Sequence, residues 1–507
     1  MEMNSMLPKY AASLILCLAL TFSLIAQDGT LDVSFGNGGV FELEDTNTDV
    51  RAGGIALTED QKIIAVGNIS DGTDTYNSIL RLNSDGSLDT TYGTNGYTLI
   101  PFGPSLANRY IEVFIQADGK IVAAGHVFGS EDTIVISRFL PNGSLDTSFG
   151  DSGHIIIEIS PIQYFGSIIS SENSFFVTGF SGTLDMEMNL LLAKYDADGS
   201  LDPTFGNDGI VLEDYGPDSV WSREAILDGL GNLYICVNTS PAFPDDPYQT
   251  QILKYQPNGD IDTSFGENGT LVIDTNESYT RGTIQFDGDG KLLVAYTNDN
   301  GDIFYNPTFI SRYLENGDLD PSFGYMGISE VDFNALIPRK IIVQPNGRII
   351  LAGNLSGSEA GTFAIARLYP NGSPDIFFGD GGKVSESFEM TDVLLQEDGK
   401  LLGFGHTWWF TNELNFVWAR YNNDPLNVAE FSNSITSISP NPSQGEFVLQ
   451  FESELAQELP YQIADVTGKI VQEGFISGSK SSIDLSNTHN GVYFLNIENS
   501  TFKLIKE

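Results

Sequence analysis

Apolar residues in this chain fall in short continuous or alternating runs, without the three- and four-residue spacing of amphipathic helices, and this pattern predicts strands. Between residues 27 and 421 the runs are separated by Asp-Gly and Asn-Gly pairs, which supply the positive backbone angles of tight hairpin turns. One stretch gives extended segments at 97–101, 110–116, 121–125 and 134–140, with turns at 93–96 and 118–119. The third segment is an unbroken apolar run in most copies (62–66, 175–177, 348–352), as suits a strand covered on both faces. No helical periodicity stands out from 27 to 421.

The runs repeat. An aromatic-Gly pair recurs at Phe35, Tyr92, Phe149, Phe205, Phe265, Phe323 and Phe378, spaced by 57, 57, 56, 60, 58 and 55 residues. Before each pair stand a turn and an aspartate: Asp32, Asp89, Asp146, Asp202, Asp262, Asp320 and Asp375. An Asp-Gly-Lys-like turn marks the middle of the unit (118–120, 289–291, 346–348, 398–400). A basic residue followed by Tyr, Phe or Leu closes it: Arg81, Arg138, Lys194, Lys254, Arg312, Arg367 and Arg420. Units of this size bury too little alone and must stack. Seven four-stranded units predict an all-β, closed seven-bladed β-propeller. Where the ring closes, and whether its ends share strands, is not legible.

Composition narrows the partners. The 507 residues carry 68 acidic and 24 basic side chains, a net charge of -44, which disfavours nucleic acid and anionic membranes. Cys17 and Cys236 are the two cysteines, so neither a disulfide framework nor a cysteine zinc site is expected. Cys236 reads as a small buried hydrophobe. Lys9 followed by an apolar run at 11–26 reads as a cleaved signal peptide over residues 1–26, and no later segment is apolar enough to span a membrane.

The ordered motifs from 28 to 421, Asp-Gly-Ser-Leu-Asp followed by Ser/Thr-Phe-Gly and the Asp-Gly-Lys hairpin, resemble the delta-60 repeat, a bacterial family of predicted propellers with no established activity. Residues 171–174, Ser-Glu-Asn-Ser, and Pro374 depart from the pattern without removing a blade. After a linker at 422–433, residues 434–507 hold strand-like stretches that suit a small Ig-like β-sandwich. This tail carries nine acids and four bases, leaving most of the acidity in the repeats. Its Pro440, Asn441, Pro442 and Gly445, then Asp465, Gly468 and Lys469, Gly491 and Tyr493, and finally Lys503 and Lys506 resemble the type A C-terminal sorting domain of the type IX secretion system. The resemblance implies a Bacteroidetes-type bacterium, partnership with the type IX machinery, and a secreted or surface location after crossing both membranes.

Candidate chemistry is sparse. Each motif aspartate reads as a cap on the turn that follows it, and each motif aromatic as a packing anchor between blades. The closing bases pair with those aspartates or lie over blade edges. Asp196, Asp198 and Asp202 come nearest to a calcium loop, the one cofactor considered. His126 and His406 occupy equivalent places after the third segment of their units and are candidates to face one ring opening. Trp408 and Trp409, near Trp418, Phe404, Phe410, Phe416 and Tyr421, are candidate ligand contacts, with sealing of the last blade as the alternative. No nucleophile elbow is present, and no catalytic residue is assigned. The reading is a secreted, non-catalytic binding propeller for a glycan or a protein. An extracellular polysaccharide hydrolase or lyase using carboxylates at the ring mouth, and a structural or adhesive surface protein, stay open.

Overall fold

The computed structural model describes residues 28–43, 49–70, 73–102, 108–128, 132–182, 188–215, 219–240, 249–273, 282–297, 307–331, 336–355, 361–407, 414–423, 435–451, 459–465, 469–497 and 500–507. Every regular element among them is a strand. Seven four-stranded antiparallel sheets form the blades, and each blade meets the next through its innermost strand. Those inner strands are Asp49–Leu57, Arg109–Ile115, Ile162–Ser170, Ser219–Leu227, Gly282–Phe286, Leu336–Val343 and Glu389–Leu395, for the first to the seventh blade.

Blade and sequence unit are out of phase by one strand. The second blade consists of Arg109–Ile115, Ile121–Val127, Thr133–Phe139 and His154–Ile157, whereas Tyr97–Pro101, grouped with it in sequence, is the outermost strand of the first blade. The aromatic-Gly marker therefore sits between a blade's third and fourth strands. The offset sets the closure: Val40–Leu43 becomes the outer strand of the last blade, pairing antiparallel with Phe416–Tyr421 in the register Val40↔Ala419 to Leu43↔Phe416. Asn422 and Asn423, placed in the linker by sequence, belong to the ring. The Asn422 amide donates to Thr30 O at 2.8 Å, and Asn423 Nδ2 donates to Gly399 O at 2.8 Å.

Apolar residues from facing blades pack between the sheets, and the second strands are the most buried. The seam between last and first blades holds Phe35, Val50, Ile63, Phe404, Phe416 and Trp418. Trp418 is fully buried, stacked on Phe404 at 4.7 Å and 5.6 Å from Phe41 of the closing strand. Cys236 is buried in the seam between the fourth and fifth blades, where burial pushes its thiol well up.

The C-terminal residues form two further sheets, one of three strands and one of four, whose inner faces share a core including Phe447, Leu449, Ile463, Ile483, Leu495 and Leu504. The motif residues tie its ends together. Asn441 Nδ2 donates to Lys503 O at 2.7 Å, Asn441 Oδ1 accepts the Ile505 amide at 2.9 Å, and Lys506 Nζ donates to Ser486 O at 2.9 Å. Tyr493 donates its hydroxyl to His489 O, Asp465 Oδ1 accepts the Lys469 amide, and Gly445 packs against the Ser486 backbone at a φ of 132°. Gly491 opens the strand Gly491–Ile497, and Pro440 and Pro442 follow cis peptide bonds. Gly468, like residues 1–27, lies outside the described residues.

Candidate functional site

Antiparallel strands give the ring two distinct ends. One gathers the turns between first and second strands and between third and fourth. The other gathers the starts of the inner strands and the ends of the second strands.

At the first end the repeat markers build a clasp. Oδ1 of Asp146 accepts the amide and hydroxyl of Ser148 at 3.1 and 2.6 Å, and its Oδ2 accepts Arg138 Nε at 2.9 Å. The Arg138 guanidinium lies 4.5 Å from the Phe149 ring centroid, and its Nη1 donates to Ala197 O of the next blade at 2.6 Å. Arg81, Arg312, Arg367 and Arg420 repeat this arrangement with Asp89, Asp320, Asp375 and Asp32. In the third and fourth blades, which lack the Asp-Gly-Lys lysine, Lys194 and Lys254 hold Asp202 and Asp262 at 2.8 and 2.9 Å. These lysines and the threonine or serine two residues on hold both carboxyls down at about 2. Aspartate capping and ion pairing thus occur on the same side chain.

The calcium candidates fall here. Asp198 Oδ1 is used by Ser200, Asp202 by Thr204 and Lys194, and Asp196 is exposed. Among the described residues no three His, Cys, Asp or Glu side chains gather as a metal site.

The other end, the mouth, follows the inner strands. Six of the seven inner strands carry a register shift near their midpoint. At or beside the shift, equivalent positions hold Gly54, Glu112, Ser167, Glu224, Thr283, Lys340 and Asp392. Each acid reaches into the following blade. Glu112 Oε2 accepts the Ile168 amide at 2.7 Å and Ser167 Oγ at 3.0 Å, Glu224 Oε2 accepts the Ile284 amide at 3.1 Å and the Thr283 hydroxyl, and Asp392 Oδ2 accepts the Ile55 amide at 3.0 Å. The neighbour receiving each acid is small (Ser167, Thr283, Gly54), which leaves room for the carboxylate. Three acid–small pairs use six of seven seats, and Lys340 takes the seventh, with Nζ 3.3 Å from Glu224 Oε1. Burial pushes Glu112 up to about 7 and raises Asp392, while Glu224 holds the Lys340 ammonium charged.

Above this floor lies a rim. Equivalent positions three residues earlier hold Arg51, Arg109, Tyr164, Trp221, Ile337 and Glu389, with Arg339 exposed beside them. His406 pairs with Glu389 in register and His126 with Arg109. Glu389 lies 3.8 Å from His406 Nε2 and 3.9 Å from Arg339 Nη2. Burial, then the charges of Arg109, Arg51 and Arg339, holds the His406 imidazole down at about 4, so it is neutral at pH 7. Burial and Arg51 act on the Arg109 guanidinium in the same direction. Beside the cations stands an aromatic wall. Tyr164 stacks on Phe180 at 4.8 Å and meets Phe128 at 5.4 Å, and Trp221 stands edge-on to Phe180 at 6.5 Å.

His126 and His406 therefore occupy equivalent rim positions, whereas Trp408 and Trp409 lie outside the described residues. Sequence reasoning missed Arg51, Arg109, Arg339, Tyr164 and Trp221. The signal was available: the arginines outside the clasp and the mid-unit turn are Arg51, Arg109, Arg223, Arg281 and Arg339, all within a unit's inner segment or just before it in sequence.

Residues 437–507 match the secretion system C-terminal sorting domain, and residues 59–92, 116–149, 189–205 and 344–375 match a β-propeller domain of unknown function. No curated protein matches the chain. Solved structures similar to it include a polysaccharide lyase (12% identity, TM-score 0.48, covering 80% of this chain and 94% of that one) and virginiamycin B lyase from Staphylococcus aureus (14%, 0.42, 75% and 98%). An α-L-arabinofuranosidase from Fusarium graminearum is also similar (10%, 0.38, 78% and 97%). Among the described residues no helix is long and apolar enough to cross a membrane. The chain is an all-β propeller of seven blades whose C-terminal residues are a sorting domain for export by the type IX secretion system to the cell surface or the medium.

Proposed function

We propose that this is an exported binding protein without catalytic activity, taking a glycan at the mouth of the ring. The observation that carries the reading is the break in repetition. Equivalent rim positions that a purely structural ring would fill alike hold Arg51, Arg109, Tyr164, Trp221, Ile337 and Glu389. Aromatic faces beside fixed polar groups are the chemistry that holds sugar rings. The apolar run at 11–26 serves as the export signal, and the sorting domain directs passage through the outer membrane.

A hydrolase or lyase is the second reading, favoured by a carboxyl near neutrality, Glu112, in the same layer as Glu224 and Asp392. Against it, each of these acids is hydrogen-bonded to a backbone amide of the adjoining blade, the work of a strut. A glycan array on the full chain, together with assays for reducing ends and unsaturated products, tests both. Binding without product is the expected result. Turnover lost in Glu112→Gln would replace the binding reading with the enzymatic one.

A further inference from the structure

Resting on that reading, we infer that the glycan is anionic, and that Arg51, Arg109 and Arg339 hold its carboxylate or sulfate groups while Tyr164 and Trp221 take the sugar faces. Three observations converge on this. First, like charges gather where the protein has little reason to gather them. The fields of Arg109, Arg51 and Arg339 all fall on His406, and that of Arg51 on Arg109, with Glu389 also among them. The chain as a whole carries -44, so arginines lying within one another's fields on the described rim are a local exception. Such an exception attracts an anion to one place and repels it from the rest of the surface.

Second, buried polar atoms are left over. Arg109 Nε and His406 Nδ1 are buried without a hydrogen-bond partner among the described residues, and His406 is only 7% exposed. Buried polar atoms of this kind are rare in folded proteins and call for a partner. The planar guanidinium fork suits the paired oxygens of a carboxylate or sulfate.

Third, the aromatic wall adjoins the cations on the same rim. Tyr164 and Trp221 follow Arg51 and Arg109 around the ring at the same register position. An acidic peptide needs the cations alone, whereas an acidic sugar uses both, its charged group on the arginines and its C–H face on the rings.

The test is isothermal titration calorimetry of the full chain with polygalacturonate, dextran sulfate, neutral dextran and poly-glutamate. Polygalacturonate or dextran sulfate is expected to bind at least about tenfold tighter than dextran or poly-glutamate, and the tighter of the two identifies the anionic group. Arg51→Gln and Arg339→Gln should each weaken that binding about tenfold. Circular dichroism melting curves that match the parent would show that both variants fold, and Arg339, being exposed, is the safer of the two. Neutral dextran bound as tightly as the acidic polymers, or affinity unchanged in both variants, would overturn the inference while leaving a glycan-binding protein. Poly-glutamate bound as tightly as the acidic glycans would overturn the assignment to sugar. An array on which no glycan of either kind binds would remove the underlying reading as well.

Discussion

At the clasp end, Asp32, Asp89, Asp146, Asp202, Asp262, Asp320 and Asp375 each hold the turn two residues on and a base from the third strand of the same blade. At the mouth the equivalent places hold Arg51, Arg109, Tyr164, Trp221, Ile337 and Glu389, and no two successive blades past the second agree. The contrast separates two demands on one repeat. A ring needs each blade to meet the next in the same way, which favours identical residues at one end. A ligand breaks the ring's symmetry and favours different ones at the other.

The largest expected effect belongs to the clasp. Arg367 and Asp375 are paired at 2.8 Å and almost wholly buried, and Arg367 also reaches Asn423 and Asp28 at the ring closure. Arg367→Ala should cost up to about 3–5 kcal/mol, since it removes the nearer of two bases from a buried carboxylate and leaves Arg348 at 3.4 Å. The check is chemical denaturation, with glycan affinity unchanged in the protein that stays folded.

Next comes a substitution at the mouth that couples stability to binding. In the second strands of the second and seventh blades, Gly125 and Gly405 stand where a Cβ would collide with the carbonyl oxygens of the rim residues Arg109 and Glu389. Gly405→Ala should destabilise by about 1–3 kcal/mol and displace Glu389. Unlike Arg367→Ala, it should weaken ligand binding as well as stability, measured by titration and melting on one sample.

The floor of the mouth gives a pH effect of opposite sign to that of the clasp. Asp202 and Asp262 titrate at about 2 when folded, below their ordinary 3.8, so their stabilisation is present above pH 4 and is lost as pH falls through 2. Glu112 titrates at about 7 when folded, above its ordinary 4.5, so the native state holds the extra proton and stability declines as pH rises from 4.5 through 7. Glu112→Gln should flatten that decline and leave the acid limb intact, because the amide oxygen still accepts from Ile168. Melting temperatures from pH 2 to 8 decide it, and an unchanged slope between 4.5 and 7 would remove Glu112 as its source.

The smallest effect tests whether the repeat tolerates a misfit. Asn95, Ser152, Asp208 and Asn268 occupy the left-handed position of the turn after the aromatic-Gly pair, and Met326 holds the same position at a φ of 54° while 68% exposed. Asparagine tolerates that geometry better than a long side chain. Met326→Asn should therefore stabilise by about 0.5–1 kcal/mol in denaturant midpoints without touching binding.

The legibility of the sequence followed the same division. Markers repeated seven times revealed the ring and the clasp aspartates, and single motifs in fixed order revealed the sorting domain. Position 97–101 misled because a unit counted from its turn begins with the outer strand of the preceding blade, and the same offset hid the closure by Val40–Leu43. Asn422 and Asn423 carry no repeat marker because they fill, once, a place other blades give to a turn. The rim was obscured for the opposite reason: Arg51, Tyr164 and Glu389 share a register position but no chemistry, so comparing copies for likeness passes over them. Trp418 drew notice as an aromatic, yet its position against Phe404 and Phe41 makes it a seal between the first and last blades.

The separation of the two ends is tested most directly by measuring Arg51→Gln at the mouth and Arg312→Gln at the clasp side by side, each for denaturant midpoint and for affinity toward polygalacturonate. The account predicts a crossed result, with Arg51→Gln losing affinity at parental stability and Arg312→Gln losing stability at parental affinity. Both variants losing the same property, or Arg51→Gln losing stability alone, would contradict it.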